Sequence, residues 1–541
     1  MKRITKVLIL LLALCMIIPC MAACGNNKDK GKKPNTNNNN NQVTLPEGSD
    51  IVMPEVVDMD GFIYKAYVRD FAGADPTEYK AQTMYGNNDY KCIDFWADAA
   101  NSEDDVIPYA VYGRNQQIEN DYKCKIRQTS SNGDQLAFLT SALQNGDGYH
   151  LTIIEAERGA QAATMGLLRD LNATTHMDLS KPSFDQNAIN ELSVKDKLYF
   201  ISGDMNISTM EVAGLSMVNM DFYEDLSDSI VNDLYGGNQL YSNIYNIVLA
   251  KKWTMETLLK IANKANIDID KTDGALHVLP HGVGQDGQTV DNKYNGGDTV
   301  GYHQYLYSTL WYFYGSGGRI TVKGEEGIPE FIIDQDKGQT LYDYIFDKFN
   351  RTVNAPWIPH ESSNILNLNF LTGQVLFADC SLFNIRTEIY PKASFEYGIL
   401  PLPTYEEGDY RSLVYFNNWA HLWAIPQMVG DDTAVEYAER MVEIMAVYSS
   451  LPNSTMDAYY ERTIYMLAAK DNGSREVMDM IRTSLVYDIA LLYASWGDIE
   501  YKLSQIANVN ESELTDIVST KSTTEMNIQT TIDQLLNPSG E

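Results

Sequence analysis

Cysteine is scarce. Six residues in 541 make no disulfide framework, and none has the paired spacing of a zinc ribbon. Cationic charge is also short, with 41 Lys and Arg against 73 Asp and Glu and a formal charge of -32. That field repels nucleic acid and anionic lipid, so neither is expected as a partner. Catalytic signatures are missing too: there is no Gly-x-Ser-x-Gly elbow and no phosphate-binding Gly-x4-Gly-Lys-Ser/Thr loop. Gly282-Val-Gly284-Gln-Asp-Gly287 fits the dinucleotide pattern, but Pro280 precedes it and no helical pattern follows. His277 and His281 have the spacing of metal ligands on a helix, which Pro280 breaks. Asp268, Asp270 and Asp273 hint at a calcium loop without its bidentate Glu. With 73 acids, no glycosidase pair stands out. No fixed-period repeat occurs. These absences predict no cofactor, no metal and no enzyme.

The remainder is globular in composition, 44% hydrophobic and 21% charged, and its length suits three or four compact units or two large lobes. The N-terminus reads as an export signal: Lys2, Arg3 and Lys6, an apolar stretch from Val7 to Ile18, then Pro19. Met21-Ala22-Ala23-Cys24 resembles the bacterial lipobox, with Met21 where Leu is usual, and this resemblance implies a lipidated Cys24 at the mature N-terminus. A retained membrane span and ordinary cleavage near Ala23 are the alternatives. From Cys24 to residue 58 the chain is polar, with an Asn37 to Asn41 run, and reads as a flexible tether.

The body starts near Met59, where Phe62 to Arg69 alternate as a strand does; Tyr90 to Trp96 is a second candidate strand. Val106 to Asn120 then reads as helix, Tyr122 to Thr129 as extended, Asp134 to Gln144 as helix and His150 to Ile154 as a buried parallel strand. This strand and helix alternation predicts an α/β lobe. Cys92 and Cys124 fall on strands of that sheet, either as a disulfide or as two buried thiols. Thr433 to Glu436 fits a capping box, and Thr254 caps a helix onto which Trp253 staples.

Residues spread along the body carry a family resemblance. Val111 to Ile126 resembles the opening helix and second strand of family 1 extracellular solute-binding proteins of ABC importers. Asp178 to Pro182 and Leu192 to Asp204 resemble their pre-hinge helix and hairpin, and Lys252 to Leu259 is similar to their Trp-Thr helix start. Phe395 to Pro403 is similar to their return strand, and Ala458 to Glu461, Met478 to Ile481 and Tyr487-Asp488 resemble the C-terminal helices of a Gram-positive lipoprotein subgroup. Together these segments span roughly residues 60 to 500. The resemblance implies a two-lobed α/β fold of the type II periplasmic-binding-protein kind, with a ligand cleft between the lobes. Its expected layout is a signal peptide at 1–23, a lipidated tether at 24–58, lobe 1 at 59–205 plus 404–450, and lobe 2 at 206–403 plus 451–541. Hinges are expected at Asp204 to Gly214 and Phe395 to Pro403. The implied function is capture of a neutral mono- or oligosaccharide by a lipid-anchored monomer, which delivers it to permease subunits. A secreted lipoprotein with glycoside hydrolase or polymer-binding activity is the alternative.

Open α/β sheets bind at the carboxyl ends of their strands, and a sugar calls for an aromatic platform ringed by carboxylates and amides. Trp96 with Asp98 meets that need, though Trp96 also suits a core strand end. Glu155 is either a ligand carboxylate or a helix cap, and Asp204 and Asn206 either line the cleft or serve a turn. In the second half the candidates are Trp311, Asp379, Asn418, Trp419 and Trp496, with core packing as the competing role for Trp311 and Trp496. Arg386 reads as a salt-bridging residue.

Overall fold

The computed structural model describes residues 50–69, 94–97, 106–131, 134–267, 298–304, 308–333, 345, 369–414, 420–427, 431–464, 472–505 and 512–537. Outside these lie Cys24 and the tether up to residue 49, Cys92, Asp98, the glycine and histidine motifs of 277–287, the acidic run near 270, Asn418 and Trp419. The last residues read as tether pack on the body, where Val52 O accepts from Lys181 and Pro54 O from Tyr122.

Two four-stranded sheets organise the chain. β1 (Ile63–Arg69), β2 (Lys125–Ser131) and β3 (Leu151–Glu155) run parallel. Their connections are the helices α1 (Val106–Tyr122) and α2 (Gln135–Asn145). Parallel strands joined through helices bury a sheet on both faces, and Tyr64, Ala66, Tyr67 and Val68 of β1 accordingly leave no surface exposed. The helix starts follow from chemistry at the boundaries: Asp134 accepts the N–H groups of Leu136 and Ala137 to cap α2, which closes on Gly146 at φ 73°. The segment read as a second strand departs from expectation. Its described part, Asp94 to Ala97, is a turn followed by irregular chain, because its backbone groups are taken up by side chains: Phe95 O accepts from both Arg114 and Asn115.

After β3 come α3 (Ala156–Thr164), α4 (Gln186–Leu192) and the short helix α5 (Ile207–Glu211). β4 (Gly214–Asn219) then enters the second sheet, ordered β5 (Val300–His303), β8 (Val375–Ser381), β4, β9 (Tyr397–Leu400). Between β5 and β8 stand α6 (Ser308–Gly315) and a hairpin of β6 (Thr321–Lys323) with β7 (Pro329–Phe331). The chain returns through β10 (Ser412–Leu413) to β11 (His421–Ala424), which pairs antiparallel with β3 and completes the first sheet as β11-β3-β1-β2. The helix α7 (Asp432–Ser449) packs on α1. Two sheets with their own helices are the two-lobed α/β arrangement the sequence implies.

Isolated bridges locate the passages between the sheets. Ile201 pairs with Trp423 on the first-sheet side and Ala213 with Val414 between the sheets, while Thr404 is still tied to Thr254 in the second half. Thr404 thus belongs with the second half, while Ala420 already accepts from Ala156 of the first. Phe395 to Pro403, expected as a hinge, contributes β9, an edge strand of the second sheet.

Several local readings need adjustment. The cap of α7 is Asp431, which accepts the Ala434 N–H, two residues before the expected Thr433; Glu436 pairs with Arg440 instead. Trp253 is fully buried and donates to Pro401 O, a structural role, while Thr254 caps its helix as read. Cys124 is a buried free thiol near Met441, pushed up to about 12 by burial. Among the described residues, no helix is long and apolar enough to cross a membrane.

Candidate functional site

The carboxyl ends of β1, β2 and β3 lie at one end of the first sheet, and antiparallel β11 starts there with His421 opposite Glu155. The passage helix α5 docks on this end. Asn206 caps α5 by accepting the Thr209 N–H at 3.2 Å, and its amide donates to His421 O at 2.8 Å; the Thr209 hydroxyl donates to the same carbonyl. Ser208 extends the network to the 94–97 turn: its N–H reaches Asp94 Oδ2 at 3.1 Å. The single proton of the Ser208 hydroxyl serves Asp94 Oδ2 at 3.2 Å or Asn206 Oδ1 at 3.0 Å. One polar chain thus runs from the His421 carbonyl through the head of α5 to Asp94, with His421 opposite Glu155 in the β3–β11 register.

Asp94 leaves no surface exposed, and burial raises its carboxyl to about 6 against the opposing pull of Ser208 and Arg114. Arg114, also buried, spends its donors on Asn115, Ser449 and Phe95 O, and burial lowers it to about 10. Phe95 sits edge-on to Trp423 with centroids 5.7 Å apart, so the turn is pinned to β11 while the next residue, Trp96, stays half-buried. Asp94 was missed in the sequence because its segment reads as a strand; the usable signal is an acidic residue directly before a Phe-Trp pair. Glu155 keeps its place at the end of β3. Its side chain does not cap α3, and its N–H is held by Gln135 Oε1 at 3.2 Å.

The same end of the second sheet is built differently. There Asp379 is fully buried on β8 and accepts from Ser216 Oγ at 2.9 Å and Tyr312 at 2.8 Å, and from the Tyr302 hydroxyl; the Ser308 side chain also favours its ionised form. Desolvation nonetheless raises its carboxyl to about 6. Trp311, in the wholly buried α6, lies flat against the chain at Gly214, where a Cβ would overlap the indole. That glycine is a close-approach requirement.

The remaining sequence candidates hold the protein together in this structure. Asn206 has no exposed surface and both its amide atoms are engaged within the protein. Asp204 pairs with Arg482 at 3.1 Å and accepts from Ser450 at 2.7 Å, tying the first passage to α7 and to the C-terminal segment. Trp496 is buried, stacked on Tyr493 and donating to Thr531 at 2.9 Å, away from both strand ends. Arg386 forms the salt bridge read from the sequence, gripping Glu211 of α5 at 2.6 and 3.1 Å. The structure therefore brings Glu155, Asn206 and Trp96 to one end of the first sheet and leaves Trp496 outside it; Trp311 and Asp379 serve the second sheet. A pocket of about 270 Å³ lies elsewhere, between α4, the β6–β7 hairpin and residues 487–489, and a small cavity of about 40 Å³ lies beside Trp496. Neither borders the carboxyl ends of a four-stranded sheet. Among the described residues, no group of three or more His, Cys, Asp or Glu is placed to hold a metal.

No family model matches the chain, and no curated protein matches it. Solved structures similar to it include the ABC substrate-binding protein Lmo0181 from Listeria monocytogenes in complex with cycloalternan, at 13% identity over 89% of this chain and 100% of that one, with a TM-score of 0.42. A family 1 extracellular solute-binding protein from Bifidobacterium longum subsp. infantis is similar at 11% identity over 88% and 98%, with a TM-score of 0.45. The GacH receptor of Streptomyces glaucescens is similar at 13% identity over 88% and 99%, with a TM-score of 0.40.

Proposed function

We propose that this protein is the extracellular solute-binding component of an ABC importer, which captures a neutral carbohydrate between two lobes and hands it to membrane permease subunits without chemical turnover. The observation that carries this reading is the polar chain at the end of the first sheet. It joins β11 and Asp94 to α5, the element by which the chain passes to the second sheet, beside Glu155 at the end of β3, so that binding and relative movement of the lobes share residues. Trp96 is the aromatic platform of this reading, with Glu155 at the same end of the first sheet and Asp98, outside the described residues, a candidate by its sequence position. Asn418 and Trp419, outside the described residues, stay ligand candidates in this reading by their sequence position next to Ala420. The acidic chain favours a neutral over an anionic sugar. Lobe 1 in this reading is 59–205 with the segment from about 420 to 450, and a diacylated Cys24 anchors a monomer to the outer face of the cytoplasmic membrane.

Thermal-shift screening tests the reading. Neutral oligosaccharides are expected to raise the melting temperature and leave solution unaltered, since a solute bound only by the native state stabilises it. Hits confined to peptides or anionic sugars, or release of product from a chromogenic glycoside, overturn it. Cys24→Ala is expected to appear in the medium; retention in the membrane fraction contradicts the lipid anchor.

A further inference from the structure

Asp94 is an anomaly among the buried carboxylates described. One oxygen, Oδ2, is held by Ser208 at the head of α5, while Oδ1, equally buried, meets no donor of the protein. Leaving a buried carboxylate oxygen bare costs free energy, and a structural carboxylate has no reason to incur it. The position is also particular. Asp94 sits one residue before Phe95, which is wedged on Trp423, and two before half-buried Trp96. Through Ser208 and Asn206 it joins the passage helix to the His421 carbonyl opposite Glu155. Arg114, the nearby cation, directs its hydrogen bonds to neutral acceptors and leaves Oδ1 untouched.

We propose that Asp94 couples cleft to hinge: Oδ1 accepts a hydrogen bond from one hydroxyl of the captured neutral sugar, while Oδ2 holds the Ser208 N–H and so fixes the start of the passage to the second lobe. This rests on the carbohydrate-binding reading above. It makes occupancy and lobe geometry two ends of one carboxylate, and it predicts selectivity for a single sugar hydroxyl.

Asp94→Asn tests it. The amide retains one oxygen for the Ser208 N–H and puts an NH2 group where the sugar hydroxyl must donate. The probe is whichever of maltotriose, cellobiose, xylobiose and mannobiose gives the largest thermal shift with the parent, followed by its monodeoxy analogues in calorimetry. In the parent, one deoxygenation should weaken binding tenfold or more; in Asp94→Asn the intact sugar should bind at least tenfold more weakly and that same deoxygenation should cost less than twofold. Equal affinity of parent and variant, or a loss spread evenly over every deoxy analogue, overturns the proposal and leaves Oδ1 to an ordered water. Should the variant not fold, the parent series decides alone: no deoxygenation costing more than twofold refutes a specific acceptor. Ser208→Pro tests the coupling half, because it removes both the N–H and the hydroxyl that reach Oδ2 at a first-turn helix position where proline is tolerated. It should keep the deoxy pattern while reducing the contraction in scattering radius on saturation, and a full contraction refutes it. If none of the four sugars shifts the parent, the carbohydrate reading itself fails and the Asp94 role with it, an outcome distinct from a sugar that binds parent and variant alike.

Discussion

The two sheet ends each contain a buried aspartate and a tryptophan, and they use them in opposite ways. Asp379 is surrounded by hydroxyl donors and Trp311 is sealed against Gly214. Asp94 has donors on one oxygen only, and Trp96 beside it keeps part of its surface in solvent. Burial raises both carboxyls to about 6, so burial alone does not separate a structural carboxylate from a binding one. The count of protein donors does: a saturated group holds a core together, and an unsaturated one awaits a partner.

That contrast can be broken most forcefully at Asp379. Asp379→Ala should cost about 3 to 5 kcal/mol, since it orphans several buried hydroxyls at once; a loss under about 1 kcal/mol in urea denaturation would mean that the cluster is not a core element. Gly214→Ala should cost about 1 to 3 kcal/mol by forcing Trp311 off the backbone, and an unchanged midpoint would show that the indole has room to move. Trp96→Ala should reverse that pattern, changing stability by less than about 1 kcal/mol while weakening sugar binding roughly thirtyfold; equal binding by calorimetry removes Trp96 from the site. The smallest effect is in pH dependence. Each carboxyl is raised in the folded state above its ordinary value near 3.8, so between about pH 4 and 6 the native state holds protons the unfolded state has lost. The stability these groups contribute is full below that window and is lost as pH rises through about 6. Asp94→Asn should therefore lose less stability than the parent between pH 4.5 and 7; a parallel slope contradicts the raised value.

Much of the framework was legible in the chain because local chemistry agreed with the fold. The alternation of Phe62 to Arg69, the helical pattern of Asp134 to Gln144 and the apolar run of His150 to Ile154 each specify one element, and β1, α2 and β3 occur within one residue of those bounds. The site was less legible. Asn206 and Asp204 look like turn or cleft residues until their partners His421, Arg482 and Ser450, some 215 to 278 positions away, are seen. Asp379 sits on a strand whose sequence gives no hint of Tyr302 and Tyr312 converging on it. Asp94 was hidden by a strand-like pattern, Tyr90 to Trp96, whose described part forms a turn at Asp94 and Phe95 with Phe95 O taken by side-chain donors. Long-range donor sets decide these roles, and no local pattern encodes them.

The most direct measurement is the dissociation constant of the best neutral sugar for Asp94→Asn and Asp379→Asn side by side, at a temperature where both are folded. The unsaturated aspartate should matter to binding and the saturated one to stability: Asp94→Asn is expected to bind at least tenfold more weakly than the parent, and Asp379→Asn within twofold of it despite a lower melting temperature. Binding lost in Asp379→Asn and kept in Asp94→Asn would contradict the account.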